Sequence, residues 1–286
     1  MKPDLSIIIP CYNCSETLEE AVDSCFIQQL EENNRTYEIV MVDDGSTDTT
    51  REVMKKIETK TQANSSGVIR NFFHEKNCGG GATRNTAIKN ARADVIFCLD
   101  SDDILAQGTL SKMLEMMLSK QKAGIPCDGI GIHHSKKFTG KNVNDIHVIH
   151  TFGYAGTQIP FESLLQRDNV YCPLYSTFMH TREAFEIMGG YPTNHGFDTQ
   201  SFAWRFLSNG LTAYTCPDST YFHRVGFNKS YYIREYEAGK VNYNWFLILS
   251  EFLYLFNDRI KDIILDFNIH AEKNIFGRKM SALTSF

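Results

Sequence analysis

The alternation of short apolar runs with amphipathic segments constrains the fold of this chain more than any other feature. Over the first hundred residues, strand followed by helix occurs three times and ends in a fourth strand. The predicted strands are 5–10, 36–42, 68–74 and 95–99, and the predicted helices begin near 15, 47 and 82. Short strands joined by helices form βαβ units, in which a parallel sheet lies between helical layers. We therefore expect an α/β fold whose parallel strands end at one edge, where ligands bind.

The pattern is less regular after residue 105. We predict helices at 110–122, 161–167, 182–188 and 198–208, strands at 128–134, 146–149 and 211–216, and an aromatic, helical segment from 230 onward. No Gly/Ser/Pro-rich linker interrupts the chain, so we expect one compact unit. Its expected parts are residues 1–105, 106–229 and 230–286.

The composition excludes several function classes. The 286 residues carry a net charge of −5, so the chain offers no basic field for nucleic acid. The longest apolar segment, 245–256, is too short to span a membrane, and from residues 1–9 we expect no signal peptide. We therefore expect a cytoplasmic protein. Most of the eight cysteines lie in apolar runs, as reduced core thiols do. The single CxxC, Cys11 to Cys14, leaves a thioredoxin-like role open.

The fourth strand stops abruptly at a cluster of carboxylates. Asp100, Asp102 and Asp103 follow the apolar residues 95–99 within four positions. Charges packed this closely repel one another, and each is costly to desolvate, so a hard cation would relieve both costs. Oxygen ligands suit Mg²⁺ or Mn²⁺, and the i, i+2 spacing lets Asp100 and Asp102 face one ion. The alternative is an acidic turn that caps the helix beginning near 110.

Two further clusters fall at the same predicted edge of the sheet. Asp43 and Asp44 end the second strand, where acidic residues of nucleotide-binding folds accept hydrogen bonds from a base or ribose. An Asx turn with a helix cap explains the same pair. Gly79–Gly81 lets the backbone approach a ligand closely, and Arg84, one turn into the next helix, can contact a phosphate. The segment is neither a Walker loop nor a GxGxxG pattern.

Two residues of the second half are candidates for the same site. A neutral His223 imidazole can complete the coordination begun by Asp100 and Asp102, although an ordinary solvated histidine is the alternative. Asp198 can act as a general base across the cleft from the metal. It also opens a predicted helix beside Gly196, so a helix N-cap is the alternative for this carboxylate.

Taken together, these clusters resemble the family 2 glycosyltransferases of GT-A fold. The resemblance rests on four segments in the order of that family: Ile7–Asn13, Val42–Asp48, Asn77–Asn85 and Leu99–Asp103. They look like its opening strand with Pro-x-Tyr-Asn, its acidic turn, its glycine-rich Ala-Arg-Asn segment and its DxD motif. The resemblance implies a Rossmann-like α/β fold with a mostly parallel central sheet flanked by helices. It also implies a nucleotide-sugar-binding half (1–105), an acceptor-binding half (106–229) and a helical C-terminal segment (230–286).

The resemblance also implies residue roles. The residues implied to bind the nucleotide sugar are Pro10, Tyr12, Asn13, Asp43, Asp44, Arg84, Asp100 and Ser101. Asp43 would contact the base or ribose, and Tyr12 and Pro10 would border the base. Asp102, with Asp100 and His223, would hold Mn²⁺ or Mg²⁺ against the diphosphate.

The second half departs from the family pattern at the residue expected to act as the general base. The family has Glu-Asp at the start of a helix and an Arg two turns later, whereas this chain has Phe197-Asp198 and Arg205. Counting back from Arg205 puts Asp198 in the Glu position and Thr199 in the Asp position. A direct comparison puts Asp198 in the Asp position. Asp198 is the carboxylate in either placement, so we expect it to be the base.

The expected function is inverting transfer of a sugar, from a UDP-sugar by preference, to a hydroxyl of a glycan or lipid-linked acceptor. A sugar nucleotidyltransferase is an alternative, although its basic glycine-rich loop after the first strand is missing here. A non-catalytic glycan-binding or scaffold protein is another. We expect the C-terminal aromatic helix to pack over the acceptor cleft. Its alternatives are peripheral contact with a membrane or pairing with a second subunit.

Overall fold

The computed structural model describes residues 2–64, 68–140, 143, 146–164, 172–175, 177–226, 237–252, 254 and 258. The strands are β1 (Leu5–Cys11), β2 (Tyr37–Asp43), β3 (Val68–Phe73), β4 (Val95–Cys98), β5 (Ile104–Leu105), β6 (Gly129–Phe138), β7 (Ile146–Thr151), β8 (Phe178–Thr181) and β9 (Ala213–Arg224). The helices are α1 (Leu18–Phe26), α2 (Thr50–Asn64), α3 (Gly80–Asn90), α4 (Thr109–Lys122), α5 (Arg182–Ile187), α6 (Asp198–Ser208) and α7 (Val241–Glu251).

The first four strands form the parallel ladder that the sequence predicts. They lie in the order β3-β2-β1-β4, and every pairing among them is parallel. Every residue of β2 and β4 is buried. Helices cover both faces of the sheet, so these strands do not alternate between buried apolar and exposed polar residues. The predicted α/β class with a sheet between helices is confirmed.

The second half of the sheet is mixed rather than parallel. Strand β8 pairs antiparallel with β4 and with β6, and β6 pairs parallel with β9. The short β5 and the outer β7 add antiparallel pairings to β9 and β6. An apolar run marks a strand but carries no sign of its direction, so the sequence could not foresee this change.

Several element boundaries differ from the prediction. Strand β9 continues to Arg224, so His223 lies within a strand and not in a loop. Helix α1 begins at Leu18 without a side-chain cap, and Ser15, near which the helix is predicted to begin, donates its backbone N–H to Asp48 Oδ2 at 3.2 Å. The predicted helix 161–167 is a short 3₁₀ turn at Phe161–Leu164, and the remainder of that prediction lies outside the described residues.

Two apolar layers lie on opposite faces of the sheet. One contains α1, α2 and α4, and the other contains α3, α5, α6 and α7. The aromatic helix α7 packs on α6, since Trp204 and Phe252 stack with ring centroids 5.6 Å apart. Arg205 and Glu251 form an ion pair beside this stack. Residues 230–236, 253, 255–257 and 259–286 of the predicted C-terminal segment lie outside the described residues.

No helix in the described part of the chain has the length and apolarity that a bilayer span requires.

Candidate active site

The carboxyl ends of β1, β2 and β4 meet at one edge, and the start of α3 closes over it. Cys11 at the end of β1 pairs in register with Asp43 at the end of β2. The backbone N–H of Leu99 donates to Ile8 O at 2.9 Å, so the carboxylate run begins beside β1. Asp43, Arg84 and Asp100, which are far apart in sequence, therefore line the same edge.

Arg84 joins the two halves of this site. Its Nη2 lies 2.6 Å from Asp100 Oδ1, and its Nη1 lies 2.6 Å from Asp198 Oδ2. Arg84 and Asp198 are both 8% exposed, so water screens this ion pair weakly. Among the described residues, Arg84 Nε is buried without a hydrogen-bond partner. A buried polar atom of this kind is what a bound ligand would satisfy.

The two charges set the ionisation of Arg84 and Asp198. Burial alone would lower the pKa of Arg84, but attraction to Asp198 and Asp100 outweighs it, so the pKa is raised. Burial raises the pKa of Asp198, and the Arg84 guanidinium partly opposes this. The predicted base is therefore buried, less acidic than an ordinary aspartate and already paired. Its N-cap alternative is not met, because α6 has no side-chain cap.

Small residues at the start of α3 allow this close approach. A Cβ on Gly81 would overlap the carbonyl oxygen of Pro192, and one on Gly80 would come 2.7 Å from Arg84 Nη1. The Asn85 side chain then fastens the same segment: its Nδ2 donates to Tyr191 O and its Oδ1 accepts from Tyr191 N, each at 2.8 Å. These contacts fix the loop that leads to Asp198 against α3.

Asp43 and Asp44 have different surroundings. Asp43 is fully buried, and it accepts from Arg51 Nε at 2.6 Å and from the backbone N–H of Ser46 at 3.2 Å. Asp44 accepts from His74 Nδ1 at 2.8 Å and from the backbone N–H groups of Cys78 at 2.8 Å and Gly79 at 2.9 Å. Both oxygens of Asp44 are thus engaged by protein donors, and they hold the glycine-rich loop in place.

The Pro10–Asn13 turn borders Asp43. Asn13 has a φ of 48°, a left-handed conformation that asparagine tolerates better than most residues. Its Oδ1 accepts from Thr47 N at 2.8 Å, which locks the turn. Tyr12 is 38% exposed, so its ring can stack on a ligand, while Asn13 acts within the protein.

The predicted metal ligands are not arranged as one preformed set. His223 Nδ1 contacts Asp103 at 3.1 and 3.2 Å, not Asp100 or Asp102, and Asp100 pairs with Arg84. In the described part of the chain, three ligand atoms lie within 4.8 Å of one another at Asp44, His74 and Cys78 alone. Both ring nitrogens of His74 are already hydrogen bonded, to Asp44 and to Thr86.

The carboxylate cluster itself fits a hard cation through Asp102. Desolvation in the crowded cleft, then repulsion from Asp103 and Asp100, raises the pKa of Asp102 to about 7. Its side chain is nevertheless exposed, so an ion can reach it. The Asp103 carboxylate, then Asp102 and Asp100, outweigh desolvation and raise the pKa of His223 to about 9. A cation would relieve the repulsion and lower the pKa of Asp102.

Several contributors escaped the sequence interpretation. The sequence places Asp103 in the carboxylate cluster but does not indicate its contacts with His223 and with the Arg224 backbone N–H. Arg51 and Tyr191 were not singled out at all, and nothing in their local sequence marks them. Asn85 stands in a quoted motif next to Arg84, which was the available signal.

Comparison with known proteins shows to which family this chain belongs. Residues 6–163 match the family described as glycosyl transferase family 2, which is more than half of the chain. The chain belongs to glycosyl transferase family 2.

Relatives of this family 2 chain include curated bacterial proteins. An uncharacterized glycosyltransferase of Haemophilus influenzae is 36% identical over 116 residues, 41% of this chain and 43% of that protein. The Staphylococcus aureus poly(ribitol-phosphate) beta-N-acetylglucosaminyltransferase TarS is 29% identical over 178 residues, 59% of this chain and 29% of TarS. The alignments thus span less than half the length of either relative.

Solved structures share the fold. S. aureus TarS 1-349 in complex with UDP-GlcNAc aligns with a TM-score of 0.64 at 21% identity, covering 91% of this chain and 70% of that one. The Pyrobaculum calidifontis mannosyltransferase PcManGT, in complex with GDP-Man and Mn²⁺, aligns with a TM-score of 0.62 at 18% identity, covering 99% and 74%. At these identities the likeness establishes the GT-A architecture.

Proposed function

We propose that this chain transfers a sugar from a nucleotide-diphosphate sugar to an acceptor hydroxyl with inversion at the anomeric carbon. The observation that carries the proposal is the buried Asp198–Arg84–Asp100 network, with both ion pairs at 2.6 Å. It links a candidate base to the donor edge of the sheet. Inversion needs one such base opposite the leaving group and no covalent enzyme intermediate.

The proposed donor is a UDP-sugar. The UDP-GlcNAc complex of the TarS neighbour supports this choice. The mannosyltransferase neighbour binds GDP-Man instead, so the identity of the nucleobase is left to experiment. Asp43 is buried against Arg51, and it would accept from the base or ribose with the lone pairs that Arg51 and Ser46 leave. The exposed ring of Tyr12 would stack on the base. Asp44 and Asn13 would act indirectly, because their oxygens already hold the surrounding loops.

The proposed cofactor is Mn²⁺ or Mg²⁺, held by Asp102 with Asp100 and His223 after rearrangement. Bound there, the ion would supply positive charge to the departing diphosphate. The Mn²⁺ in the mannosyltransferase neighbour supports a divalent ion. Arg84 would reach the same phosphates with its planar guanidinium.

Asp198 would take the proton from the acceptor hydroxyl as that oxygen attacks the anomeric carbon. In the structure its Oδ2 is paired with Arg84, and a paired carboxylate is a weak base. Phosphate oxygens of the donor would offer Arg84 other partners, so donor binding would release Asp198 for proton transfer. The acceptor would be a hydroxyl of a glycan or of a lipid-linked sugar.

Two variants test this proposal separately at each side of the site. Asp102→Ala should remove the Mn²⁺-dependent thermal shift by UDP, with the exposed Asp94→Ala as its control. Asp198→Asn should keep that shift but lower turnover about 10²- to 10⁴-fold, as loss of a general base does. Normal UDP affinity with Mn²⁺ in Asp102→Ala would refute the metal site. Unchanged turnover in Asp198→Asn would refute the base.

A further inference from the structure

The sheet beside the carboxylate cluster displays a second group of basic side chains. Strands β9, β6 and β7 lie next to one another, and Lys137 of β6 pairs in register with His223 of β9 on one side and Val148 of β7 on the other. Side chains two residues apart on a strand share a face. Lys137, His223 and His150 therefore project from the same face, which is the one that holds His223 against Asp103.

Electrostatic contacts agree with this placement. Desolvation, then the positive charges of Lys137 and His223, lowers the pKa of His150. His150 therefore lies within electrostatic reach of both Lys137 and His223. The group runs outward from the donor edge in the order His223, Lys137, His150.

The charge of Lys137 is not neutralised by the described residues. No described carboxylate forms an ion pair with it, and Asp103 contacts His223 and the backbone N–H of Arg224. The neighbouring Lys136 is on the opposite face, 5.8 Å from the centroid of the Phe222 ring. A half-buried, uncompensated ammonium beside a hydrogen-bond donor is an arrangement that attracts an oxyanion.

We propose that Lys137 and His150 bind an oxyanion of the acceptor, a phosphate or a carboxylate near the hydroxyl that receives the sugar. The proposal rests on the proposed function, since it assigns the substrate class of that same site. Lys137 would supply the charge, and the imidazole of His150, on the same face, would supply a ring N–H. Strands lie about 4.8 Å apart, so this anion would sit one to two strands from His223, about one sugar or polyol unit from the metal edge.

The test measures binding without any donor. Microcalorimetry would compare an oligomer of glycerol phosphate, an oligogalacturonate and a neutral maltooligosaccharide. We expect at least one anionic probe to bind and the neutral one not to, with affinity falling as NaCl rises. Whichever anionic probe binds more tightly identifies the phosphate or the carboxylate as the group recognised.

Variants on one strand separate the site from general surface charge. Lys137→Gln should weaken binding of the anionic probe about 10-fold, whereas Lys137→Arg should retain it. Lys136→Gln removes the same charge from the opposite face and should leave binding unchanged. Equal losses in Lys136→Gln and Lys137→Gln, or equal binding of the neutral probe, would overturn the proposal.

Two controls keep this test distinct from that of the proposed function. The UDP and Mn²⁺ thermal shift should be the same in Lys137→Gln as in the unchanged chain. If the UDP and Mn²⁺ thermal shift were absent from the Lys136 and Lys137 variants alike, the proposed donor site would be contradicted, and the proposed anion site would not. Binding to phosphatidylglycerol vesicles that depends on Lys137, without binding of the oligomers, would assign the patch to membrane and overturn an acceptor role.

Discussion

Buried ionisable residues are handled in two ways in this chain. Arg84 is surrounded by two carboxylates and keeps its charge. His180, fully buried on β8, lies between the rings of Phe178 and Phe202 with centroid distances of 5.6 and 5.2 Å. Its Nδ1 contacts Thr181 O at 3.0 Å, while Nε2 has no partner in the described part of the chain. The charged Arg84 is available to contact an anionic ligand, whereas the buried His180 must stay neutral.

His180 should make stability depend on pH. Burial lowers its pKa from 6.5 to about 4, so between these values the unfolded chain binds the proton that the folded chain excludes. Stability is therefore complete above about pH 6.5 and is lost as pH falls toward 4, by about 3 kcal/mol in total. In His180→Phe, this part of the slope should disappear. Urea unfolding from pH 7 to 4.5 measures it, and identical slopes in both proteins would contradict the assignment.

At the scale of elements, the site depends on the contact between α3 and the loop before α6. The glycines at the start of α3, the Asn85 amide and the Tyr191 ring all act at this contact. The Tyr191 ring stacks on Phe202 with centroids 3.9 Å apart and lies 5.8 Å from the Arg84 guanidinium carbon. A shift of either element would separate Arg84 from Asp198 without altering either residue.

Gly81→Ala should disturb this contact. The added methyl group overlaps Pro192 O, and a backbone atom cannot swing away as a side chain does. We expect a loss of about 1–3 kcal/mol in the free energy of unfolding and weaker UDP binding. Lys89→Ala, at the exposed end of the same helix, is the matched control and should stay within about 0.5 kcal/mol of the unchanged chain. Equal stability of the two variants would show that the loop moves freely.

At the scale of the whole molecule, one sheet runs through both halves of the chain. The parallel half brings Asp43, Arg84 and Asp100 to one edge. The mixed half brings β9, and with it His223, beside Asp103. Helices α6 and α7 cover the same face as α3, so the candidate base is held within an apolar layer.

The accessibility of the cysteine thiols can test whether this fold is intact. None of the eight forms a disulfide in the structure, and seven are buried, with Cys78 the exposed one. We expect one thiol per native chain to react rapidly with a disulfide reagent, and eight after denaturation. Cys78→Ser should abolish the rapid reaction. Rapid labelling at Cys11 or Cys14 would instead indicate that the first turn opens.

The local sequence pattern predicts the fold and site residues of the first half of the chain, but it does not predict those of the second half. The βαβ repeat and the motifs at 43–44, 84 and 100–103 follow from residues close in sequence, and their ligand edge follows from strand direction. His223 contacts Asp103, and not the Asp100 and Asp102 pair predicted for it, because β9 extends eight residues beyond the predicted strand of Leu211–Cys216. Strand length and direction there depend on pairing with β6 and β5.

The sequence by itself determined the α/β class, the family resemblance and the acidic edge, because each depends on spacings within about ten residues. Only the tertiary structure decided that Arg84 pairs with Asp198, that Asp44 holds the glycine-rich loop, and that Lys137 and His150 share a face with His223. These are contacts between groups up to 114 positions apart. Their geometry is set by sheet order and helix packing, which no local pattern encodes.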